Sequence, residues 1–136
     1  MKALPFYILL LMTFGMACLE KIISWEVPSW FLKQFDKTIL NLFPGSLELA
    51  YFAIVLLEGC TFGFILFGIV RKEFLIQKSS GVSQKYLSQG IFLAQITFII
   101  LGFGQRLTQK YDEAGYLFLY ASLTFIAGQI VNFKKV

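Results

Sequence analysis

Glu58 is the residue of this chain whose position most invites chemistry. It falls near the middle of Leu47–Val70, LELAYFAIVLLEGCTFGFILFGIV, a run without Lys, Arg or Pro whose other acid is Glu48. At 1.5 Å rise per residue the run makes a helix of roughly 36 Å, enough to cross a bilayer core of about 30 Å. A carboxyl at that depth is costly to bury, charged or neutral, so it must face other helices or a wet cavity. Two roles suit it. As a structural acid it would be neutral and hydrogen-bonded to a polar group at similar depth, with Met16, Thr97 and Tyr120 level with it and Gln95 nearby. As a candidate catalytic acid it would move protons or meet the headgroup of a quinone.

A second constellation gathers where the apolar runs end. Glu20 and Lys21 close the first run, Glu48 opens the second, and Gln105 and Arg106 close the third. An Arg106–Glu48 pair at that level, with Lys21 beside it, could orient an anionic ligand or lipid headgroup. The plainer role is snorkelling that fixes helix height, and Lys21 suits it best. Directly after Glu58, Gly59 and Gly63 form a small-xxx-small pair expected to let a neighbouring helix approach closely.

Other chemistries are excluded by composition. The chain has no His, which removes His-ligated haem, His-containing zinc or copper sites and Ser–His or Cys–His catalysis. Its two cysteines, Cys18 and Cys60, form no C-x-x-C pair, and helix counting puts them at depths about 12 Å apart, too far for a disulfide. No metal-ligated or covalent cofactor is expected, and quinone stays open as a ligand. The net charge of +4 comes without a basic block, so nucleic acid is not an expected partner.

The elements that must position these residues are membrane helices. The chain has 136 residues, one domain's worth, of which 57% are hydrophobic and 15% charged, and its mean hydropathy is +0.72. Sixteen Phe, six Tyr and two Trp suit a lipid-facing bundle with aromatic edges. The expected fold is all-α: an integral membrane four-helix bundle with spans at about 4–23, 47–70, 86–104 and 115–131. The first run has a rival reading as a signal peptide, but Gly15-Met16-Ala17-Cys18 makes a poor lipoprotein box, and an uncleaved helix is preferred.

Between the first two runs, Trp25 and Trp30 mark an interface, and Phe31, Phe35, Ile39 and Leu42 recur at helical spacing. This predicts a short amphipathic helix over about 29–43, N-capped by Ser29, lying on the membrane surface. With the N-terminus inside, seven Lys and Arg fall on the cytoplasmic side and five on the other. That bias predicts a multi-pass membrane protein with both termini cytoplasmic.

The pattern resembles the DoxX-like family of small four-helix membrane proteins. The likeness is carried by Gly15 to Lys21 (GMACLEK), by Glu58-Gly59 inside the second helix, and by Gly68-Ile69-Val70-Arg71 at its exit. Length, span number and a long first loop agree over most of the chain, although the Arg71–Lys85 connection is longer than the family's. The resemblance implies a small membrane subunit that anchors or assists an oxidoreductase system, as in a membrane thiosulfate:quinone oxidoreductase, with the bilayer and other membrane subunits as partners. It brings no agreed catalytic set. A structural or assembly subunit of a larger membrane complex is the rival reading, and a carrier of protons or small solutes is a third.

Overall fold

A computed structural model describes residues 4–75 and 85–133; Lys2, Lys78, Ser79-Ser80-Gly81, Lys134 and Lys135, which enter the topology argument, lie outside them. The chain is all-helical. Helix α1 is Leu4–Ser24, α2 is Ser29–Phe35, α3 is Ser46–Val70, α4 is Lys85–Leu107 and α5 is Tyr111–Phe133, with 3₁₀ turns at Ile39–Asn41 and Glu73–Leu75. Three of these, α1, α3 and α4, are long and apolar enough to cross a membrane. The outer surface agrees with that: Leu9, Met12, Ile23, Leu49, Leu56 and Phe92 are all more than half exposed. Side chains of this kind face lipid at no cost in a membrane protein, whereas a soluble protein would bury them.

Local chemistry explains where the helices stop. Pro5 sits in the first turn of α1, where its missing N–H is not needed. Gly45 adopts φ +81°, a left-handed conformation that glycine takes without strain, and α3 starts directly after it. At the far end of α4, Lys110 N–H donates to Gln105 O (3.0 Å) and Gln109 N–H to Arg106 O (3.1 Å), with Gln109 at φ +62°. That is a Schellman closure, and it joins α4 to α5 with almost no loop. Asp112 and Glu113, expected in a connecting loop, instead occupy the first turn of α5, where carboxylates favour the helix dipole.

The surface helix is shorter than its periodicity predicts. Instead of one helix over 29–43, α2 ends at Phe35 and a separate 3₁₀ turn follows. Thr38 is extended (φ −103°, ψ 165°), and its hydroxyl donates to Phe35 O at 2.7 Å, closing the helix end. The cap position of α2 is Pro28, not Ser29. Phe31 and Phe35 are buried against Leu47 and Tyr51 of α3, so α2 is docked on the bundle. Gln34 Nε2 ties it to α4 by donating to Gln105 Oε1 (3.0 Å) and Thr108 Oγ1 (3.2 Å).

Helices α1 and α3, α3 and α4, and α4 and α5 pack as neighbours. One core joins Tyr7, Leu10 and Phe14 of α1, Ile65 of α3, Leu87, Ile91, Ala94 and Phe98 of α4, and Ala121 of α5. The tightest approach is α3 on α4. A Cβ added at Gly68 would meet Leu87 at 2.7 Å, and one at Gly90 would meet Ile65 at 2.6 Å. Small residues set that distance, as expected where van der Waals packing drives helix association. Two buried threonines bond within their own helices: Thr61 donates to Leu57 O and Thr97 to Leu93 O, each at 2.8 Å. Beyond α3, the buried Glu73 carboxylate accepts from Leu87 N–H at 3.0 Å in the first turn of α4.

Candidate functional site

Glu58 lies at the centre of α3 and is 2% exposed. Among the described residues no neutral side chain from another helix hydrogen-bonds to it. Lys21 does: its Nζ donates to Glu58 Oε1 at 2.8 Å and to Oε2 at 2.7 Å. The polar partners expected at its depth are thus not the ones that meet it; a cation is. Thr97, expected as a partner, uses its proton on its own helix, and Met16 is exposed.

The pair exists because α1 and α3 are not flush. A Cβ on Gly59 would stand 3.5 Å from Cys18 Sγ, so those two residues are level. Cys18 is about 9 Å from the end of α1, while Gly59 is about 20 Å from the start of α3. Helix α3 thus extends some 10 Å past α1 at this end. The segment from Trp25 to Gly45 climbs that difference and packs α2 against the projecting part of α3. Lys21, one turn from the end of α1, consequently meets the middle of α3 and not its beginning.

The remaining candidates fall elsewhere. Glu48 is exposed in the first turn of α3, and Arg106 is exposed with its guanidinium 4.9 Å from the centroid of the Tyr111 ring. The expected Arg106–Glu48 pair is not formed: among the described residues the ion pairs are Lys21–Glu58 and an exposed Lys110–Glu113 contact at 3.5 Å. Gly59 faces α1 through Cys18, but Gly63 is exposed and has nothing within 4 Å of a Cβ position. The close-packed seam runs instead through Gly68 and Gly90, and through Gly15, where a Cβ would meet Phe62 at 2.8 Å. Cys18 and Cys60 are both free, and they are nearly level, not 12 Å apart as helix counting suggests. What separates them is facing, since Cys18 is buried and Cys60 exposed.

Beside the pair is a groove that sequence reasoning did not anticipate. Helices α1 and α5 flank a cleft of about 780 Å³, floored by Phe98 and Leu101 of α4 and by Glu58. Along α1 its wall runs from Phe6 to Ala17, about 16 Å at helical rise. The α5 wall, from Leu117 to Ile130, runs antiparallel to it. Glu58, held level with Cys18, marks the Ala17 end, and the opposite end is wholly apolar between Phe6 and Ile130. Thr13, Tyr120 and Thr124 are its other polar lining residues. Among the described residues no group of His, Cys, Asp or Glu side chains could hold a metal ion.

The arrangement offers a long apolar slot with a charged, hydrogen-bonding wall at one end, which suits an amphiphile with a small polar head. The one signal for it in the sequence is Thr13, a polar residue standing alone among apolar neighbours. Comparison of the chain with known protein families, with characterised proteins and with solved structures found no match.

Proposed function

We propose that the chain is a four-span subunit of a bacterial inner-membrane oxidoreductase system, of the DoxX-like type, and that the groove between α1 and α5 holds a quinone. The observation that carries this reading is the Glu58 carboxylate lining one end of a mostly apolar groove of about 780 Å³. That volume is of the size that small-molecule sites have, and apolar walls with a few placed polar groups are their usual make-up. Phe98 and Tyr120 would flank the ring, Glu58 would hydrogen-bond it, and the walls toward Phe6 and Ile130 would take the isoprenoid tail. Helix α5, 23 residues long, would serve as the fourth span, and Glu48 and Arg106 as headgroup contacts at the outer surface. Both termini would be cytoplasmic, and the redox partner would be another membrane subunit.

The test is to purify the full chain from its membranes in native lipid, extract the bound lipids and identify them. Stoichiometric quinone, lost in Leu123→Trp because the indole fills the groove, is the expected result. Absence of quinone from the preparation, with no binding on titration, would overturn the reading. The bidentate Lys21–Glu58 contact also favours a second function, a structural subunit in which the pair merely staples α1 to α3. That reading is supported if the chain co-purifies stoichiometrically with other membrane proteins and carries no ligand.

A further inference from the structure

The groove's polar atoms are mostly acceptors, and this bears on which redox form of a ligand it takes. Lys21 Nζ engages one side of each Glu58 oxygen, at 2.8 Å and 2.7 Å, yet Lys21 is not part of the groove wall. A carboxylate has about four lone-pair sites. The pair therefore leaves acceptor capacity on both oxygens while its own donor stays behind the wall. The two threonines are acceptors for the same reason. Thr13 Oγ1 donates to Leu9 O at 2.8 Å and Thr124 Oγ1 donates to Tyr120 O at 2.7 Å, so each hydroxyl proton is used within its own helix and only lone pairs are left for a ligand. Of the lining residues only Tyr120 has a hydroxyl proton free to donate.

A quinone ring carries carbonyl oxygens and can only accept. A quinol carries hydroxyls and can donate. We infer that the groove discriminates by hydrogen-bond polarity and binds the quinol form of its ligand in preference to the quinone, with the Glu58 carboxylate accepting the ring hydroxyl. The inference rests on the groove being the quinone site proposed above. Lys21 supports the selection: its two hydrogen bonds favour the carboxylate form of Glu58, which has lone pairs to offer and no competing proton. Hydrogen bonds to a charged acceptor are the strong ones, so a preference of roughly tenfold or more is expected. Each factor of ten raises the midpoint potential of the bound two-electron couple by about 30 mV, since it is the reduced form that is held more tightly.

The experiment uses the full chain in lipid nanodiscs under anaerobic conditions. A short-chain benzoquinone, its quinol and the quinol's O-methylated analogue, which keeps ring and tail but has no donor, are titrated separately. Quinol binding at least tenfold tighter than both others is expected. In Glu58→Gln, whose amide can donate as well as accept, the quinol and quinone affinities should converge. Should that variant fail to fold, the wild-type comparison decides alone. Equal affinities, or tighter quinone binding, would overturn the polarity argument and leave the quinone site standing. Binding of none of the three ligands would overturn the site itself. Binding that Leu123→Trp does not weaken would place the ligand elsewhere and defeat both.

Discussion

Breaking the Lys21–Glu58 pair from its two sides should have unequal effects. At 2.7 Å and an effective dielectric constant of about 20, the attraction between the two charges is about 6 kcal/mol before desolvation is subtracted. Most of that is offset by taking both groups out of water, so the informative quantity is the cost of leaving one charge unpaired. The two side chains differ there. Glu58 is 3% exposed and Lys21 is 23% exposed. After Glu58→Leu, Lys21 can redirect its ammonium toward the surface along its flexible stem, and a loss of about 1–2 kcal/mol is expected. After Lys21→Met, Glu58 has no such route, and a loss of about 3–5 kcal/mol is expected. The double variant removes both charges and keeps apolar bulk, so it should lie within about 1 kcal/mol of wild type. Unfolding of the four proteins in one detergent–lipid mixture, followed by helical circular dichroism, measures the cycle. Equal losses in the two single variants, or a double variant as unstable as their sum, would refute the claim that the pair is buried asymmetrically.

Glycine substitutions should separate the packed seam from the free face. Gly90→Ala brings a methyl group to 2.6 Å from Ile65 Cγ1 and should lose about 1–3 kcal/mol in the same unfolding assay, while Gly63→Ala, with open space around it, should be neutral. Cysteine reactivity gives a second check: a membrane-permeant maleimide should label exposed Cys60 well before buried Cys18, and mass spectrometry of Cys18→Ser and Cys60→Ser would assign the fast site.

The apolar runs made the long helices legible, because hydropathy over some twenty residues leaves few alternatives. The spans expected at 4–23 and 47–70 meet helices Leu4–Ser24 and Ser46–Val70 almost residue for residue. Contacts between helices were much less legible. Gly59-xxx-Gly63 and Gly68 are all small residues on one helix, yet only the tertiary arrangement says that Gly68 meets Leu87 while Gly63 meets nothing. The surface helix was overextended for a related reason. Ile39 and Leu42 continue the spacing of Phe31 and Phe35, but one local hydrogen bond from Thr38 ends the helix between them.

The error with the largest consequence concerns register. Placing Lys21 opposite Glu48 assumes that sequential membrane helices start and stop at a common plane. Lys21 itself contradicts that assumption, because Ile22 and Ile23 follow it in the same helix and it is not at a true end. What permits α1 to stop short is the segment that follows. Phe31 and Phe35, packed on Leu47 and Tyr51, cover the part of α3 that α1 leaves bare. The Trp25–Gly45 connection is thus more than a surface anchor: it lets α1 end low enough for an ammonium near its terminus to reach a carboxylate at the centre of α3. The outcome is a charge pair with two different faces. Lys21 keeps partial contact with the exterior, and Glu58, about three turns from either end of α3, forms the wall of the groove. A carboxylate supplied with its counter-ion from behind can remain an acceptor on its open side. For that reason the length of the first loop and the chemistry of Glu58 form one structural feature.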